Sequence, residues 1–260
     1  MKMPNVAVII TNYNYGAYVI SAISSAAYKQ DYAGDIRVYI VDDGSSDDSW
    51  DKISNLTDEV EIRELNEPYY NGPLEIRQKD NIYAFRITNS GASVGRNVAL
   101  WEAMEWADIF GILDSDDEYA PNKISTLVNK LMEYPEIGVA YADYSNVHPQ
   151  YDKHEFKMSY SRDVLLSNCI VHSGSLIKKS EIIKVIQPNK EIYDSRLHGP
   201  GSKEFIGCTE DYDLWIRLSR VCMFVHVPQN LAIANITGMN QSSKMTAQIF
   251  QNNAKILRSR

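Results

Sequence analysis

Three carboxylates fall within four residues at Asp114-Ser115-Asp116-Asp117, directly after the apolar run Ile109 to Leu113. Carboxylates this close repel one another unless a cation neutralises them. Hard oxygen donors suit Mg2+ or Mn2+, which take few protein ligands and leave the rest to substrate phosphates and water. Such an ion would stabilise the charge developing on a departing diphosphate. The competing reading is an acidic cap for the helix that Pro121 opens, or a solvated turn. Placement right after a buried strand favours the metal.

Other polar segments carry weaker signals. Asp42-Asp43-Gly44-Ser45 could orient a base or ribose through carboxylate hydrogen bonds, or could be a plain turn with a helix cap. Glu210-Asp211 starts a pattern bearing Leu214, Trp215 and Leu218. A carboxylate at a helix N-terminus is expected to have a lowered pKa. Asp211 would then be ionised at neutral pH and ready to accept a proton from a hydroxyl. A simple helix-start acid explains the same residues. Arg96-Asn97 opens another helix, where the arginine could meet phosphate or solvate the helix face. His172, His198 and His226 are scattered, form no HxxxH pair and are assigned no metal. Neither a GxGxxG fingerprint nor a P-loop is present.

The elements that must position these groups follow from the apolar pattern. Val6 to Ile10 is a continuous β-branched run, as in a strand buried on both faces. Val19, Ile20, Ile23 and Ala27 then fall at helical spacing. Ile36 to Val41 is a second strand, and Ser46 or Asp47 caps a helix with Trp50, Ile53 and Leu56. Glu61 to Leu65 is a short strand, Asn66 to Gly72 an inserted loop, and Ile82 to Ile87 a strand. Ser93 to Trp106 is helical. After Pro121 come a helix with Ile124, Leu127, Val128 and Leu131, and a strand from Ile137 to Tyr141. Residues 142–168 are polar and Tyr-rich, Ser175 to Ile177 is a short apolar stretch, and 186–209 read as a long loop. Asp211 to Val221 is helical and Met223 to Val227 a strand. This β-α-β-α order predicts an α/β fold with a mostly parallel central sheet flanked by helices. Ligands bind such sheets at the carboxyl ends of the strands, so the turns at Thr11–Tyr15, Asp42–Ser45 and Asp114–Asp117 should share one crevice.

Composition narrows the class. The 260 residues carry 26 Lys plus Arg against 34 Asp plus Glu, a net charge of −8. A chain this acidic does not suit nucleic acid, whose binding rests on neutralising phosphates. Cys169, Cys208 and Cys222 are odd in number and lack CxxC spacing, so free thiols in a reducing compartment are expected. The run Val6 to Ile10 is too short for a signal-peptide core, and no stretch reaches membrane-span length. The expectation is a cytoplasmic protein, with peripheral membrane contact conceivable through Ile249, Phe250, Ile256, Leu257 and the basic Lys255, Arg258 and Arg260.

Taken together the segments resemble the family 2 glycosyltransferases of GT-A fold, from Val6 to about Ala234. The markers are Val8-Ile9-Ile10-Thr11-Asn12-Tyr13-Asn14, Val41-Asp42-Asp43-Gly44-Ser45-Ser46-Asp47, Asn89-Ser90-Gly91-Ala92-Ser93-Val94-Gly95-Arg96-Asn97, Leu113-Asp114-Ser115-Asp116-Asp117 and Glu210-Asp211-Tyr212-Asp213-Leu214-Trp215-Ile216-Arg217-Leu218. The resemblance implies one GT-A domain over 1–260. Its parts would be a nucleotide-sugar half to 118, an acceptor half over 119–243 and a tail over 244–260. It implies a donor surface of Thr11, Asn12, Tyr13, Asp43, Asn89, Arg96, Asp114 and Ser115. Within it Thr11 and Tyr13 would line the nucleobase pocket, Asp43 would bond the base and Asp114 would lie near the ribose. Asp116, or alternatively Asp117, would ligate Mn2+ or Mg2+. Asp211, beside Glu210, would be the general base of an inverting displacement. Gly174, Ser175 and Trp215 would face the acceptor. The partners implied are a nucleotide sugar, UDP-linked by preference, and a saccharide or lipid-linked hydroxyl. Other readings are a sugar nucleotidyltransferase and an inactive glycan-binding scaffold. Thr11 to Gly16 lacks the Gly-rich basic loop of the first, and the intact acidic segments disfavour the second. The family's aromatic-Arg-x-His segment is replaced here by Ala234-Asn235-Ile236-Thr237.

Overall fold

The computed structural model describes residues 2–148, 151–197 and 209–237, together with Lys255 and Leu257. The first half begins with β1 (Val6–Asn12), α1 (Val19–Ala27), β2 (Ile36–Asp42) and α2 (Ser49–Ser54). A hairpin of β3 (Glu59–Glu67) and β4 (Tyr70–Lys79) follows, then β5 (Ile82–Arg86), α3 (Ala92–Ala103) and β6 (Ile109–Asp114). The second half holds β7 (Asp117–Tyr119), α4 (Lys123–Glu133), β8 (Ile137–His148), β9 (Tyr151–Glu155) and α5 (Arg162–Ser167). It ends with β10 (Leu176–Lys178), α6 (Lys179–Lys184), α7 (Glu210–Leu218) and β11 (Met223–Asn235).

Among the described residues one sheet runs β3-β4-β5-β2-β1-β6-β10-β8-β11-β7, with β9 on β8. The expected parallel pairing holds for the central β5, β2, β1 and β6, and again for β8 with β11. The other neighbours are antiparallel. Tight hairpins such as β3–β4 and β8–β9 leave no room for the crossover that parallel strands need. β10 pairs with both β6 and β8, so the sheet crosses the division near residue 118 without a break.

The continuous apolar runs are explained by burial on both faces. In β1, Val6, Val8 and Ile10 pack with α1 and α4, while Ala7 and Ile9 pack with α3 and α7. The N-cap of α2 is Asp48, not the expected Ser46 or Asp47, and it makes no side-chain cap bond; Asp47 Oδ1 accepts the Ser49 amide at 3.0 Å. Asn66 to Gly72, however, is no inserted loop. It is the tip of the β3–β4 hairpin, with Leu65 opposite Gly72 and Glu67 opposite Tyr70. Tyr69 and Tyr70 are buried there, and the Tyr70 hydroxyl donates to Pro73 O at 2.7 Å and accepts from Thr88 N at 3.1 Å. The polar stretch after residue 142 likewise holds the long β8 and the β9 hairpin.

The predicted long loop is held firmly in its described part. Asn97 of α3 is fully buried; its Nδ2 donates to Tyr193 O at 2.8 Å, and its Oδ1 accepts Ile192 N at 3.1 Å and Tyr193 N at 2.8 Å. From α7, Arg217 donates to Val185 O at 2.7 Å and Ile192 O at 2.5 Å. The remainder of that loop, with His198 and Cys208, lies outside the described residues, as does the tail 244–260 apart from Lys255 and Leu257. Leu257 is buried in the α3–α7 core. Cys169 and Cys222 are free thiols.

Asn97→Ala would strip three buried backbone groups of their partner. At about 1–3 kcal/mol for each buried group left unsatisfied, the variant should lose roughly 3–5 kcal/mol in denaturant unfolding. A loss below about 1 kcal/mol would show that segment 186–197 is held by other means.

Candidate active site

The strand register levels the ends of the central sheet. Thr11 sits between Val41 and Asp114, Asn12 beside Asp42, and Asp42 beside Arg86. The polar turns therefore meet along one edge, at the carboxyl ends of the strands.

Hydrogen bonds lock the first two turns together. Asn12 Nδ2 donates to Asp42 Oδ2 at 2.9 Å and Ser45 Oγ at 3.1 Å, and Asp42 Oδ1 accepts Ser45 N at 3.0 Å. Gly44 has φ 68, and a Cβ there would stand 2.9 Å from Asn89 N. Only glycine adopts this backbone without strain. Asp43 accepts Ser90 N at 2.6 Å and Gly91 N at 2.8 Å, while Asn89 Nδ2 donates to Asp43 O at 2.9 Å. The Asp43 carboxylate is thus the anchor of the 88–91 loop. Burial pushes it up to about 6 despite those donors, which act the other way. Tyr13, by contrast, is 48% exposed and presents a free ring at the rim.

The third turn joins α7 through one arginine. Arg96 is buried, with Nη2 2.9 Å from Asp114 Oδ1, and Nη1 2.7 Å from Glu210 Oε1 and 3.6 Å from Asp211 Oδ1. The guanidinium faces carboxylates and is buried rather than solvating the helix face. Asp114 also accepts the Ser173 hydroxyl at 2.9 Å. The Asp211 pKa moves opposite to the expected lowering. Burial, with Glu210 and Asp114 nearby, raises it to about 7 and outweighs Arg96. The helix terminus alone does not set the charge of a group so enclosed.

Asp116 and Asp117 are both nearly enclosed. Burial and the charge of Asp114 raise Asp116 to about 7. Asp117 is also raised, by burial and then by the charges of Asp114 and Asp116. The Ala234-Asn235 segment lies directly on this turn: Asn235 N donates to Asp117 Oδ1 at 3.2 Å and Asn235 Nδ2 to Asp116 O at 2.6 Å. Sequence reasoning missed Lys123, which is buried with its ammonium 4.5 Å from the Tyr119 ring centre and pushed down to about 7 by burial, against the pull of Asp117. Its spacing of four from Leu127 was the available signal. Tyr15, from the Thr11–Tyr15 turn expected on this crevice, lies near the acidic turn; burial and then Asp116 raise its hydroxyl to about 12.

Several expected contacts are corrected by burial. Trp215 is fully enclosed in the core, edge-on to Phe224, and does not reach an acceptor. Ser175 is also fully buried, with Oγ bonded to His172 O, and it ties the 172–175 segment to β6. Asn12 is 1% exposed and is a strut between turns, not a donor contact. Ser115 is enclosed within its turn. Gly174 is half-buried beside Lys123 and His172, and a Cβ there would meet both. Thr11 remains half-buried at the crevice.

Among the described residues no group of three acidic, His or Cys side chains is arranged to enclose a metal. Mg2+ or Mn2+ bound through one or two carboxylates plus phosphates needs no such cage. The mutual repulsion of Asp114, Asp116 and Asp117 is what a divalent cation would relieve. Asp117 accepts the Asn235 amide, and Asp116 and Asp117 remain the two carboxylates that could hold such an ion.

Asp43 supplies a pH test. Its folded pKa lies above the unfolded value, so the folded chain holds the proton more tightly. Stability should therefore fall as pH rises from about 4 to about 6 and be level above, by as much as roughly 3 kcal/mol from this group. Carboxyl NMR titration should give a midpoint near 6 for Asp43. A midpoint below about 4 would contradict its burial.

Known proteins match both the sequence and the fold. An uncharacterized glycosyltransferase of Nostoc sp. is 29% identical over 134 residues, covering 52% of this chain and 35% of that protein. Chondroitin synthase of Escherichia coli is 25% identical over 267 residues, covering 98% of this chain and 32% of that protein. The chain thus spans about a third of the length of these two curated relatives, 35% and 32%. S. aureus TarS 1-349 in complex with UDP-GlcNAc superposes with TM-score 0.65 at 18% identity, over 95% of this chain and 62% of that one. Mannosyltransferase PcManGT from Pyrobaculum calidifontis, in complex with GDP-Man and Mn2+, gives TM-score 0.60 at 15% identity, over 98% and 69%. The fold is the GT-A fold of these transferases. The family model for glycosyl transferase family 2 covers residues 7–184, including every strand that ends on the crevice except the last, and the chain belongs to that family.

Proposed function

We propose that this chain is an inverting glycosyltransferase that moves a sugar from a nucleoside diphosphate sugar, UDP-linked by preference, to a hydroxyl of a saccharide or lipid-linked acceptor. The observation that carries this reading is the juxtaposition of Asp211 with Asp114 across Arg96, at the level strand ends. It sets a proton acceptor poised near pH 7 against the donor-side turn. The nucleotide sugars and Mn2+ bound by the structural neighbours support the same ligand class.

The chemistry then follows from the residues. Tyr13 stacks on the base at the rim. The Asp43-anchored loop shapes the wall beside it. Asp211 takes the proton of the acceptor hydroxyl, and the freed oxygen attacks the anomeric carbon opposite the diphosphate. The carbon–oxygen bond to the phosphate breaks, and the nucleoside diphosphate leaves with the electron pair. Asp116, or alternatively Asp117, would hold Mn2+ or Mg2+, which would supply neutralisation of charge on the leaving diphosphate. Among the described residues no helix is long and apolar enough to cross a membrane.

Titration calorimetry with UDP, GDP and dTDP, each with and without Mn2+, tests the donor site. UDP should bind, and EDTA should weaken it at least about tenfold, an increment that Asp116→Asn removes. No metal-dependent binding of any of the three would sink the proposal. Asp211→Asn should leave the UDP affinity within about twofold and reduce transfer by roughly 10²–10⁴-fold; retained transfer would remove Asp211 as the base.

The pH profile is an independent check. The base must be deprotonated, so kcat/KM should rise tenfold per pH unit below about 7 and level above it. A profile flat from about pH 5 to 8 would contradict the assignment.

A further inference from the structure

Arg96 stands on α3 immediately before the clamp residue Asn97, with 6% of its side chain exposed. Its partners come from two elements far apart in sequence: Asp114 at the end of β6, and Glu210 and Asp211 at the start of α7. The guanidinium lies 5.2 Å from the centre of the Tyr193 ring, and Asn97 bonds both backbone groups of that residue. Its Nη1 and Nη2 point at carboxylates, and its Nε is buried and unpartnered. A phosphate approaching this group would have to displace one of three carboxylates already on it.

We propose that Arg96 is a positioning residue: through its planar fork it fixes the distance and orientation of Asp211 relative to the donor turn, and it does not bind phosphate. This rests on the reading of Asp211 as the base. The fork is rigid, so the bond to Asp114 on one prong dictates where Glu210 and Asp211 sit on the other. A lysine keeps the charge but loses that geometry, because an ammonium is a point donor on a flexible stem. Glu210 is then the handle by which Arg96 holds the first turn of α7, and Asp211 follows as the next residue. Displacing a reacting group by about 1 Å can cost on the order of 100-fold in rate with little change in ligand affinity.

The test uses the full chain with Arg96→Lys, Glu210→Gln and the double variant. Affinities for UDP and for uridine are measured by calorimetry, and kcat and KM in the transfer assay. Positioning predicts that each single variant lowers kcat by roughly 10–100-fold while the UDP affinity stays within about twofold. The double variant should be no slower than the worse single one, because both break the same link. If Arg96→Lys weakens UDP at least about tenfold and leaves uridine unchanged, Arg96 is a phosphate ligand and the proposal falls. It falls equally if kcat is unchanged or the two losses multiply. Should Arg96→Lys fail to fold, Glu210→Gln carries the same comparison of kcat with UDP and uridine affinity. If the unmodified protein transfers no sugar from any donor, the reading of Asp211 as base has failed instead. A crystal structure of Arg96→Lys, or of Glu210→Gln, then decides the geometric claim. A shift of Asp211 from Asp114 by about 1 Å or more upholds it, and an unmoved carboxylate overturns it.

Discussion

The level register of β5, β2, β1 and β6 is the constraint on which the rest depends. Because Thr11 pairs with both Val41 and Asp114, the chain leaves three strands at one height. A slip of one residue in any pair would turn its whole side-chain set to the wrong face. Here that would put Val8 and Ile10 among the partners of Ala7 and Ile9 and would separate Asn12 from Asp42. The buried residues on both faces thus fix the crevice without touching it. Polar groups that cross-link the turns, such as Asn12 and Asp43, refine a geometry already set by packing.

The second half is attached to that frame by buried polar links in addition to the sheet. Asn97 and Arg217 hold segment 186–197 from two helices, and Arg96 holds the start of α7 against β6. A buried ion cluster of this kind is a weak source of net stability, since desolvation offsets most of the attraction. Removing one member is still damaging, because its partners stay buried without it. Such a link specifies position more than it adds stability. That suits a site whose two sides come from opposite ends of the sequence.

How much of this could be read from the sequence depended on the range of each interaction. The central strands were legible because two-sided burial demands unbroken apolar runs such as Val6 to Ile10. The acidic turns were legible because a carboxylate cluster is conspicuous in any context. The β3–β4 hairpin was not. Part of β3 reads as a strand, but Val60 and Ile62 are 52% and 71% exposed on it, so no buried face marks how far the hairpin runs through Asn66 to Gly72. Trp215 was misread because position on α7 near Asp211 does not tell which way a side chain turns; helix geometry sends it into the core. The clamps of Asn97 and Arg96 join residues about a hundred positions apart. Nothing local in the sequence encodes such a pairing.

The charge on Asp211 shows why the cluster has the composition it does. A full, exclusive pairing with one guanidinium would hold a carboxylate well below its ordinary range and make it a poor base. Burial with no cation would hold it protonated at neutral pH, with no capacity to accept a proton at all. Arg96 is shared instead among Asp114, Glu210 and Asp211, and it lies closer to the first two than to the third. Burial is the largest cause of the raised pKa of Asp211; Arg96 pulls it down, the like charges of Glu210 and Asp114 push it up, and the value comes to rest near 7. A carboxylate with such a pKa is about half ionised at neutral pH, as the proposed role of base requires. Glu210 contributes in two ways from one position: it ties the start of α7 to Arg96, and its like charge raises the pKa of Asp211.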